Sequence, residues 1–106
     1  MGKDKRAAKG KCKNTAAELK ELFSVKNARF YIKVTQKSLD VEGNYNGYIA
    51  ALAPKKVTSR SIRYPIVTEP TRAVAFESVL SLRTFIDTAV EPQTYVTSYK
   101  IERLPL

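Results

Sequence analysis

Few side chains in this 106-residue sequence could move protons or attack an electrophile near neutral pH. Histidine is absent, so acid–base work would fall to carboxylates, lysines or tyrosines with displaced pKa values. The ten acids are Asp4, Glu18, Glu21, Asp40, Glu42, Glu69, Glu77, Asp87, Glu91 and Glu102. Asp40 and Glu42 fall in a turn-rich stretch, Glu18 and Glu21 suit the first turns of a helix, and no pair has a spacing that sets it apart. Cys12 stands between Lys11 and Lys13, whose charges would favour a thiolate, but it has no neighbouring base to work with. Gly43 and Gly47 flank a turn and lead into no Gly-Lys-Ser/Thr phosphate loop. One cysteine makes no internal disulfide, and without histidine a conventional metal site is nearly excluded. The expectation is a protein that is not an enzyme and carries no cofactor.

The remaining chemistry is charge. Lys and Arg number 19 against 10 Asp and Glu, for a net charge of +9. Six of those cations, Lys3, Lys5, Arg6, Lys9, Lys11 and Lys13, lie within residues 1–13 beside the single acid Asp4. A segment this polar buries too little to offset its ordering entropy, so residues 1–13 are expected to be a disordered basic arm. Lys55, Lys56, Arg60 and Arg63 form a second group, with no acid between Glu42 and Glu69. Lys33 and Lys37 alternate with apolar residues, as Tyr31 does, which would place all three on the outward face of a strand. Lysines that follow a phosphate backbone and tyrosines that stack on bases are the side chains a nucleic-acid surface needs. Tyr45 and Tyr48, in or beside the expected hairpin loop, would add further stacking surfaces.

These residues need elements to position them. Thr15-Ala16-Ala17-Glu18 is a capping box, and Ala16, Leu19, Leu22 and Phe23 follow at helical spacing, which predicts a helix over about 15–24. From Ala28 the period changes to two, with Phe30, Ile32 and Val34 on one face of a strand. The run Glu42-Gly43-Asn44-Tyr45-Asn46-Gly47 predicts a hairpin turn into a second strand over 48–52. A third strand is expected over about 59–67, at an edge or cut short because Pro65 lacks a ladder donor. Ala75, Val79, Leu82, Ile86 and Ala89 then predict a long helix over about 72–89, and alternation over 94–104 a last strand.

The fold class expected is α+β: about four antiparallel strands, a long helix on one face and a short N-terminal helix. Residues 14–106 would make a single domain. The helix–strand–strand–strand–helix order resembles that of double-stranded RNA-binding domains. The resemblance covers element order alone, because that family's second helix opens on a lysine-rich motif where this one opens Pro70-Thr71-Arg72. No apolar run is long enough to span a membrane, and no signal peptide or myristoylation pattern is present, so a cytoplasmic location is expected. Two partner classes fit. The preferred one is nucleic acid, DNA or RNA, held by the arm, the 55–63 group and a Tyr31–Lys33 surface. The other is an acidic protein on which a small interaction module docks, adding a strand at its edge. A homodimer is compatible with either.

Overall fold

A computed structural model describes residues 11–37, 42–53, 56–57 and 62–103. Helix α1 (Ala16–Phe23) is followed by strands β1 (Phe30–Lys37) and β2 (Asn44–Ile49) and by three two-residue strands. These are β3 (Lys56–Val57), β4 (Ile62–Arg63) and β5 (Ile66–Val67). A 3-10 turn (Pro70–Arg72), helix α2 (Val79–Phe85), a π-helical turn (Ile86–Val90) and strand β6 (Val96–Arg103) complete the order. The main sheet is antiparallel, in the order β5-β2-β1-β6, and β3 pairs only with β4. The architecture is α+β. Five strands rather than three lie between α1 and α2, so the element order departs from that of double-stranded RNA-binding domains. No helix among the described residues is long and apolar enough to cross a membrane.

Local chemistry sets the boundaries. The Thr15 hydroxyl accepts from the Glu18 amide at 3.1 Å while the Glu18 carboxylate accepts from the Thr15 amide at 2.8 Å, the reciprocal pair predicted for the start of α1. After α1 the chain turns into β1 through Asn27 at φ 61°, a conformation asparagine tolerates. Phe30, Ile32 and Val34 face the core with Ile49, Phe76, Leu82, Ile86, Val90, Tyr95, Val96, Tyr99 and Ile101. Leu19, Leu22, Phe23, Val79 and Phe85 pack against this cluster, so both helices cover the same face of the sheet. Each large apolar side chain fully buried there contributes about 1.5–3 kcal/mol.

Besides β2, which takes in Asn44–Gly47 of the run read as a turn and ends at Ile49, three expectations need correction. The long helix is much shorter: α2 has seven residues and the π turn five more. Residues 73–77 are extended instead, because β2 ends at Ile49 and leaves backbone groups of β1 without a partner. Phe76 fills that place, exchanging two 2.9 Å hydrogen bonds with Phe30, while the Val74 amide donates to the Ile49 carbonyl at 2.9 Å. Helicity waits for Ser78, whose hydroxyl accepts from the Ser81 amide at 3.0 Å. The third strand is divided: the part before Pro65 pairs with β3, and the part after it becomes β5, an edge strand as Pro65 implied. Gly47 lets β5 lie close, since a Cβ there would meet the Val67 carbonyl oxygen at 2.9 Å.

The third correction concerns the arm. Of the segment expected to be an arm, Lys11, Cys12 and Lys13 are described, and residues 11–14 run along the outer edge of β6. The Tyr99 amide donates to the Lys11 carbonyl and the Lys13 amide to the Tyr99 carbonyl, both at 2.8 Å. The Asn14 side chain continues the ladder, accepting from the Ile101 amide at 2.7 Å and donating to the Ile101 carbonyl at 3.0 Å. The Lys11 ammonium donates to the Glu91 and Gln93 carbonyls at 2.8 and 2.7 Å, where the π turn ends. Backbone pairing, which charge composition does not encode, anchors the base of this basic segment. Residues 1–10 lie outside the described part.

Candidate functional site

The sheet has a second face, opposite the core, and β1 supplies its centre with Tyr31, Lys33, Thr35 and Lys37. Register sets Lys33 between Tyr48 on β2 and Lys100 on β6, and sets Tyr31 opposite Glu102. Two ammonium groups therefore occupy adjacent cross-strand positions, a pairing that costs a sheet stability. Lys37 and Lys100 are exposed and Lys33 is half-buried. The Lys33 ammonium lies 5.6 Å from the centroid of the Tyr48 ring, within cation–π range. The Tyr48 hydroxyl donates to Glu102 Oε1 at 2.5 Å. Burial, the hydrogen bond to Glu102 and the charge of that carboxylate together push the Tyr48 phenol up to about 12.

Tyr31 and Tyr48 are on the predicted face, but they are not the exposed platforms expected there. They are 5% and 7% exposed and meet edge to face, with ring centroids 6.4 Å apart. Buried to this degree, neither ring offers a flat face to a base. Tyr45, 40% exposed, is paired in register with Gln36 and accepts its side-chain amide at 2.7 Å. It therefore lies on the opposite side of the sheet from Lys33.

The other candidates divide in two. Lys13 is exposed at the sheet edge, whereas Lys11 is half-buried and committed to backbone carbonyls. Register places Lys56 opposite Arg63 in the two-stranded β3–β4 sheet. Lys3, Lys5, Arg6, Lys9, Lys55 and Arg60 lie outside the described residues. The structure thus brings Lys33, Lys37 and Lys100 to one face and Lys56 to Arg63 in another sheet. Lys100 was not singled out in the sequence. The register that makes it a neighbour of Lys33 pairs residues 67 positions apart in sequence (100 − 33).

Sequence reasoning also missed a cavity of about 370 Å³ between α1, the α2–π segment and β6. Leu19, Phe23, Ile86 and Ile101 form apolar wall, with the Cys12 thiol and Arg83 among the polar lining. Arg83 lies 5.5 Å from the centroid of the Phe23 ring. Burial pushes the Tyr99 phenol up, and Cys12 and then Glu91 push it the same way. Among the described residues no group of three His, Cys, Asp or Glu side chains is placed to hold a metal ion. Comparisons with protein families, curated proteins and solved structures find no match to this chain.

Proposed function

We propose that the protein binds nucleic acid without catalysing a reaction on it, using the Lys33–Lys37–Lys100 face, the Lys56–Arg63 pair and the basic N-terminal segment. One observation carries the reading: Lys33 stands directly opposite Lys100 on the side of the sheet away from the core. Like charges so placed destabilise the free protein, and a polyanion relieves that repulsion while releasing its own counterions. The net charge of +9 gives long-range attraction of the same sign. An acidic protein partner would meet the same cations. Strand addition at the outer edge of β6 is opposed, because Tyr99 and Ile101 already pair there with residues 11–14.

Fluorescence anisotropy with labelled oligonucleotides at low and moderate salt tests the reading. Binding should weaken steeply as salt rises. Lys33→Gln with Lys100→Gln should lower the log–log salt slope by roughly 1.4–1.8, at about 0.7–0.9 per phosphate contact. No binding at low salt would reject the proposal.

A further inference from the structure

We infer that the cationic face recognises a sugar–phosphate backbone and leaves the bases unread, so that the ligand class is a phosphodiester polyanion without regard to base identity. This rests on the nucleic-acid reading above and specifies it. Base stacking needs an open aromatic face, and on this side of the sheet there is none among the described residues. Tyr31 and Tyr48 are buried against each other, and Lys33 lies over the Tyr48 ring. Tyr45, the exposed tyrosine of β2, belongs to the other side.

What this face does present is amines and short polar groups. Lys33, Lys37 and Lys100 are accompanied by Thr35, Asn46 and Ser98, which register places beside one another on the same side. Such side chains suit phosphate oxygens, the contacts that position a ligand without reading its sequence. Lys33 and Lys37 are four strand residues apart, about 13 Å, so they engage separate phosphates. Tyr48 is a positioning residue here: its ring supports the Lys33 ammonium, and its hydroxyl holds the Glu102 carboxylate in a hydrogen bond.

The test uses the full chain and two labelled single strands of equal length, one with bases and one abasic throughout. Stacking of even one base is worth about 1–3 kcal/mol, a factor of at least about five. The inference expects the two dissociation constants to agree within about fivefold, with equal salt slopes. A loss larger than about fivefold for the abasic strand would overturn it while leaving nucleic-acid binding intact. Absence of binding to either strand would instead reject the functional reading on which it rests. Lys33→Gln with Lys100→Gln, checked for an unchanged melting profile, should weaken both strands by the same factor. Unchanged affinity in that variant would remove this face from the site.

Discussion

Asn14 does with one side chain what a strand residue does with its backbone, and its removal has a calculable consequence. Asn14→Ala deletes the bond from the Ile101 amide at 2.7 Å and the bond to the Ile101 carbonyl at 3.0 Å. Each such bond is worth about 0.5–1.5 kcal/mol net, and Ile101 is 5% exposed, so water replaces them poorly. The expected loss is about 2 kcal/mol. In a domain of this size that corresponds to a fall in Tm of roughly 8–16 °C. Asn14→Asp keeps the acceptor and loses the amide donor, and should cost about half as much. Urea unfolding followed by circular dichroism gives both numbers, provided the slopes with denaturant agree. Amide exchange at Tyr99 and Ile101 should accelerate in Asn14→Ala. A stability change below about 0.5 kcal/mol with unaltered exchange at Ile101 would refute the claim that residues 11–14 anchor the basic segment to β6.

Other perturbations separate stability from binding. Lys100→Glu turns a repulsive pair with Lys33 into an attractive one. It should stabilise the fold by about 0.2–1 kcal/mol in urea unfolding while weakening oligonucleotide affinity. The phenol of Tyr48 titrates higher folded, at about 12, than its ordinary value of 10.0. The associated stability is complete below pH 10 and is lost as pH rises toward 12, so Tyr48→Phe should narrow the gap in unfolding free energy between about pH 9 and about pH 11.5. Gly47→Ala drives a methyl against the Val67 carbonyl and should cost about 1–3 kcal/mol in thermal unfolding. Leu82 is fully buried, and Leu82→Ala should cost about 2–5 kcal/mol in the same assay.

The elements whose signals are local were legible in the sequence. The capping box of α1, the alternation of β1 and the edge position forced by Pro65 all depend on residues within a few positions of each other. The face that carries Lys33 was legible too, because strand parity is a two-residue property. What the sequence hid was tertiary. The apolar stripe from Ala75 continues at helical spacing, but Phe76 is taken by the unfilled edge of β1, so helicity starts only after Ser78. Exposure of Tyr31 and Tyr48 could not be read from parity, since the edge-to-face contact between them depends on how β1 and β2 are paired. Lys11 looked like one cation among six. Its ammonium instead closes the end of a π turn 80 residues away in sequence.

The most direct test of the central claim is an NMR titration of isotope-labelled protein with a short oligonucleotide at low salt. Shifts should concentrate at Lys33, Thr35, Ser98 and Lys100 and saturate together. Shifts confined to Leu19, Phe23, Arg83 and Ile86 around the cavity, or none at all, would contradict it.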